Sequence, residues 1–121
     1  MGAIEAQIAE DQHWVAGEKR TININVKQAD GTTAQTMTGW ALKWVLKDHR
    51  TGAVRFTKTT VSGITIGDGS GTNDQARVAI AAADTLALPA AVYFHELTRT
   101  DVGSEAVLSF GDAHLHAMGL P

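Results

Sequence analysis

Arg20-Thr21-Ile22-Asn23-Ile24-Asn25-Val26-Lys27 alternates polar and apolar residues without interruption. A period of two places Ile22, Ile24 and Val26 on one side of an extended chain and Thr21, Asn23 and Asn25 on the other, the signature of a strand with one buried and one wet face. Asp30-Gly31 follows, a dipeptide that tolerates positive φ and lets the chain reverse. The same pattern recurs downstream. Trp40 to Lys47 sets Trp40, Leu42, Trp44 and Leu46 against Ala41, Lys43, Val45 and Lys47, and His49-Arg50-Thr51-Gly52 connects it to a returning strand over Ala53 to Thr60. Further strands are expected at Gly63 to Ile66, Ala76 to Ala81, Val92 to Arg99, Ala106 to Phe110 and Ala113 to Ala117. In the crossover from Ala82 to Pro89, Asp84 is placed to cap one helical turn. Seven or eight short strands with turn signals every 8 to 12 residues or so predict an all-β fold, an antiparallel sandwich of two sheets, with a closed barrel as the alternative.

The first twelve residues read differently. Ile4 and Ile8 stand at helical spacing beside Glu5, Glu10 and Asp11, with no basic residue, so residues 1–12 are expected to be a short helical or flexible arm and residues 13–121 the sandwich. Such an arm is a candidate contact with a neighbouring subunit. The 121 residues suffice for one core, and 44% apolar with 19% charged residues is the balance of a globular chain. No run approaches the ~20 apolar residues of a membrane span, and no basic, apolar and cleavage-site series opens the chain, so neither a membrane nor export is expected. Met1-Gly2 lacks the Ser or Thr that a myristoylation motif requires, Ala6 standing there. The absence of Cys excludes disulfides and thiolate metal sites and suits a reducing compartment. The net charge is −3 and the basic residues are scattered, which argues against nucleic acid as a partner.

Candidate chemistry is sparse. His114-Leu115-His116 sets two imidazoles on one face about 7 Å apart. Asp112 shares their parity, but a divalent ion needs three or four ligands, so no metal and no cofactor is assigned and the pair is read as facing solvent or a subunit. His95 and Glu96 are strand neighbours that point to opposite faces and cannot act as a catalytic couple. The stretch Gly67-Asp68-Gly69-Ser70-Gly71-Thr72-Asn73-Asp74 lacks the Gly-Lys-Ser/Thr ending of a phosphate loop and the bidentate Glu of a calcium loop. It is read as a surface loop, with Asp68 and Asn73 as candidate contacts. No enzyme is expected. Three of the seven aromatic residues are tryptophans: Trp40 and Trp44 are assigned to the core, and Trp14 to an interface or to pinning the arm.

The order of several short elements resembles the immunoglobulin-like structural modules of tailed bacteriophages, including the N-terminal domain of baseplate upper proteins and small neck- and tail-associated proteins. These elements are Ala16-Gly17-Glu18, Asp30-Gly31, Met37-Thr38-Gly39-Trp40-Ala41-Leu42-Lys43-Trp44 and Ser62-Gly63-Ile64-Thr65-Ile66. They continue with Ala83-Asp84-Thr85 and Leu88, Tyr93 before Glu96-Leu97, and Ser109-Phe110-Gly111-Asp112. The resemblance spans roughly 17–117 and departs from the pattern at Ala90-Ala91, where a Gly is expected, and in the long loop from Gly67 to Gln75. It implies a virion component of the neck, head–tail connection or tail baseplate, assembled in the host cytoplasm, with other virion proteins and copies of itself as partners. A capsid decoration protein is the related alternative. A glycan-binding adhesion module is the alternative of another class, and it requires exposed Trp or Tyr residues. Within the fold, Tyr93 is expected to form a tyrosine corner, Asp84 and Thr85 to cap a turn, and Gly39 and Gly63 to permit tight backbone geometry.

Overall fold

The computed structural model describes residues 7–8 (backbone only), 11–28, 30, 32–67 and 73–117. Its strands are β1 (Gln7–Ile8), β2 (Gln12–Val15), β3 (Arg20–Asn25), β4 (Leu42–Lys47), β5 (Val54–Thr59), β6 (Ile64–Ile66), β7 (Gln75–Ile80), β8 (Ala91–Arg99) and β9 (Ala106–His116). One helical turn, α1 (Ala82–Thr85), precedes β8. They form a six-stranded sheet in the order β1-β9-β8-β4-β5, with β2 also on β9, and a three-stranded sheet in the order β3-β7-β6. This is the immunoglobulin-like sandwich: β4, β8 and β9 are the C, F and G strands, β5 the added C′ strand, and β3, β7 and β6 the B, E and D strands. Among the described residues no helix is long and apolar enough to cross a membrane.

Alternation along the strands supplies the core. Ile22 and Ile24 of β3, Val78 and Ile80 of β7, Trp44 and Leu46 of β4, Leu97 of β8, and Leu108 and Leu115 of β9 meet between the sheets, each 5% exposed or less. Burying a side chain of this size contributes about 1.5–3 kcal/mol. The indole of Trp44 donates from Nε1 to Nδ1 of His95 at 3.3 Å, deep between the sheets. In disulfide-bearing immunoglobulin domains the corner tyrosine stands two residues before the second cysteine. Here Tyr93 is that tyrosine and the buried His95 takes the cysteine's place, so a hydrogen bond within the larger sheet occupies the region where a covalent bridge would cross.

The expected tyrosine corner is present: Tyr93 is 3% exposed and its hydroxyl donates to the carbonyl of Pro89 at 2.6 Å. Burial pushes the phenol pKa up. Asp84 caps α1 by accepting the Ala81 N–H at 2.7 Å, and also pairs with Lys58 Nζ at 2.7 Å. Thr85 does not cap the turn. It is fully buried, and its Oγ1 accepts the Gly17 N–H at 2.9 Å, tying the β2–β3 turn to the crossover. Gly39 and Gly63 adopt φ of +78° and +106°, the conformations expected of them.

Three local expectations need correction, and one holds with a difference in burial. The described part of the arm is not helical: Gln7 and Ile8 lie in β1, and Gln12, assigned to the arm, begins β2. Both segments run parallel to β9, a ladder whose hydrogen bonds outweigh the weak helical spacing of Ile4 and Ile8. Trp40 precedes β4 rather than opening it. It is half-buried against the core, under the Arg99 guanidinium at 3.8 Å from the ring centre. Val45 sits on the outer face, as its parity predicts, and is only 5% exposed because β4 is flanked on both sides, with Thr57 and Glu96 opposite it. The two strands expected at either end of 106–117 are one, since β8 pairs with β9 through Gly111 and Asp112.

Candidate functional site

The outer face of the six-stranded sheet carries the side chains that the core does not use. Register places Phe94 of β8 opposite Asp112 of β9, Glu96 opposite Phe110, and Val92 opposite His114. Phe94 and Phe110 lie with ring centres 5.8 Å apart, and Arg50 from the β4–β5 turn sits over both, 5.5 and 4.6 Å from their centres. Val92 beside them is 55% exposed. Together with Asp48, His49, Gly111 and Asp112 they line a concave surface of about 470 Å³. The β4–β5 turn is held by Asp48 N–H to Ala53 O at 3.0 Å and Gly52 N–H to His49 O at 2.8 Å, which fixes Arg50 at the rim. Arg55 pairs with Asp48 at 2.5 Å, and Lys47 with Glu96 at 3.7 Å. The first pair holds the guanidinium firmly protonated through the Asp48 hydrogen bond.

Next to this cleft, β2 delivers a second group. Its parallel register sets His13 opposite His114, Trp14 opposite Leu115 and Val15 opposite His116, and Ala16 N–H extends the ladder to His116 O at 2.9 Å. Alternation therefore turns His13 outward beside His114 and His116 while Trp14 turns inward. The His13 ring stacks on His114 with centres 4.2 Å apart and planes 5° apart, and on His116 at 5.6 Å. His13 Nδ1 lies 3.4 Å from His116 Nε2. Asp11, just before β2, brings Oδ2 to 3.6 Å from His114 Nε2. Donor atoms of Asp11, Asp112 and His114 all lie within 4.8 Å of one another, a set able to hold a cation. Two carboxylates and an imidazole thus converge where sequence spacing offered only His114, His116 and the parity of Asp112.

The residues singled out from sequence separate. His114 and His116 lie on the outer face of β9, and Ile8 of β1 is in register with Phe110 of the same strand. Trp14 is 3% exposed and belongs to the core, so it pins β2 from within rather than offering an interface. Asn73 is tied elsewhere: its Nδ2 donates to Thr38 Oγ1 at 2.8 Å and its carbonyl accepts the N–H of buried Met37 at 2.7 Å. Ile4 and Asp68 lie outside the described residues. His95 and Glu96 point to opposite faces, as strand alternation requires. Asp11, His13, Arg50, Phe94 and Phe110 escaped the sequence reading. The alternation of Phe94 and Phe110 with inward residues was a usable signal, but the parallel pairing of β2 with β9 had none.

No family model matches the sequence, and no curated protein does. Among solved structures, murine CRIg is similar at 10% sequence identity, over 93% of this chain and 96% of that one, with a TM-score of 0.41.

Proposed function

We propose that the chain is a non-enzymatic structural protein of a tailed-bacteriophage particle, acting by protein–protein assembly in the neck, head–tail connection or tail-baseplate region. The observation that carries the assembly reading is the Phe94–Phe110–Arg50 cleft with Val92 at its edge. Aromatic and arginine side chains are enriched where proteins meet, and here exposed Val92 stands beside half-buried Phe110 and buried Phe94 under the Arg50 guanidinium. The resemblance of the order of its sequence elements to phage modules is what supports the virion setting. The occupant we assign to the cleft is another copy of the chain, since repeated use of one face against another builds closed rings. A glycan-binding module has less support: Trp14, Trp44 and Tyr93 are 3% exposed or less, and Trp40 is covered by Arg99, so these residues offer no aromatic platform to a sugar.

The test compares wild type with Val92→Asp by size-exclusion chromatography with light scattering. A defined oligomer that becomes monomeric in the variant is the expected result. A monomer for both proteins across the concentration range, together with failure to co-sediment with purified phage tails or necks, refutes the proposal. Co-sedimentation with expanded capsids alone supports a decoration protein in its place.

A further inference from the structure

We propose that Asp11, Asp112 and His114 bind one divalent transition-metal ion of the zinc class, and that this ion fastens the N-terminal strand β2 onto β9. The donors come from segments about a hundred positions apart in the chain, yet the β2–β9 register brings them to one patch of the outer face. Zinc–nitrogen and zinc–oxygen bonds of about 2.0–2.2 Å put the donors of a tetrahedral ion about 3.3–3.6 Å apart. His114 Nε2 and Asp11 Oδ2 already stand at 3.6 Å, and all three donor atoms lie within 4.8 Å. Asp11 has a side chain 53% exposed, which leaves its carboxylate room to rotate towards a shared ion.

The donor types choose the ion. One imidazole nitrogen with two carboxylate oxygens suits zinc, cobalt or nickel, whereas magnesium and calcium prefer all-oxygen shells of six or more ligands. Three protein donors leave a tetrahedral position for water. His13 stacks flat on His114 at 4.2 Å and fixes the plane in which that imidazole presents its nitrogen. A group orienting a ligand in this way generally modulates affinity less than the ligand itself does. Because Asp11 leads into β2 while the other two donors sit on β9, the ion cross-links the two strands, and binding is coupled to their docking.

The test is isothermal titration of the untagged full chain with zinc chloride, repeated with magnesium chloride. One zinc per chain is expected, with no magnesium binding in the same range. Asp112→Asn and Asp11→Asn each weaken zinc at least tenfold, while their circular dichroism and metal-free melting stay as in wild type. In wild type, zinc also slows amide exchange of the β2 N–H groups. Absence of stoichiometric zinc binding overturns the proposal. So does affinity unchanged in the Asp11→Asn/Asp112→Asn double variant but lost in His13→Ala/His116→Ala, which places the ion on the imidazoles alone.

Discussion

Replacing Tyr93 by Phe removes one oxygen and leaves the ring packed, so it isolates the tyrosine corner. The hydroxyl donates to Pro89 O at 2.6 Å from a residue that is 3% exposed. Proline has no N–H, so this carbonyl is the only backbone polar group Pro89 offers to the loop. A hydrogen bond of this kind contributes about 1 kcal/mol net, and stranding a partly buried acceptor raises the loss towards 2 kcal/mol. Unfolding entropy of about 2.1 cal/mol/K per residue gives a domain of this length roughly 0.25 kcal/mol/K, so Tm should fall by about 4–8 °C. Urea melts should show a lower midpoint with an unchanged slope, since the surface exposed on unfolding is the same. Amide exchange at Leu88, whose N–H is held by Thr85 O at 2.9 Å, should accelerate as the crossover loosens. A midpoint equal to wild type, with Leu88 exchange unaltered, refutes the corner as a stabilising lock.

Two glycine substitutions should differ in cost. At Gly39 a Cβ meets nothing within 4 Å, so Gly39→Ala bears only the positive-φ penalty of about 1–2 kcal/mol. At Gly63 it comes within 2.6 Å of Lys58 Cδ, and Lys58 is held by Asp84, so Gly63→Ala should be the more destabilising by at least about 1 kcal/mol in urea melts. Equal costs would discount the Lys58 clash. Asp30 accepts hydrogen bonds from Thr33 Oγ1 and from the N–H groups of Thr33 and Thr32, and these lower its pKa from 3.8 to about 2. A depressed folded pKa contributes stability that is fully present above the unfolded value near 4 and is lost as pH falls towards 2. Carboxyl carbon shifts followed by NMR should give a midpoint near 2, moving upward in Thr33→Val; an ordinary aspartate midpoint in both proteins would contradict the loop geometry.

Much of the fold was legible in one dimension because a half-buried strand writes its burial into alternate residues. Ile22-Asn23-Ile24 and Leu42-Lys43-Trp44 did so, and Tyr93 after a Pro-terminated crossover announced its corner. Val45 takes the face its parity gives it and is nonetheless buried, because alternation reports only which face a side chain takes; whether that face is wet depends on its neighbours. The candidate site was half legible. His114, His116 and Asp112 share a parity that can be read from spacing, whereas Asp11 and His13 are joined to them only by the parallel register of β2 on β9.

Local sequence therefore determined the class of fold, the strand faces and the corner, since each depends on residues two to four positions apart. The tertiary structure alone decided that β1 and β2 add to β9, that Trp14 turns into the core, and that aromatic, arginine, histidine and aspartate side chains gather on one outer face. Pairing between strands about a hundred residues apart is fixed by the summed ladder and core energy of the whole sheet, and that energy leaves no periodicity in either strand.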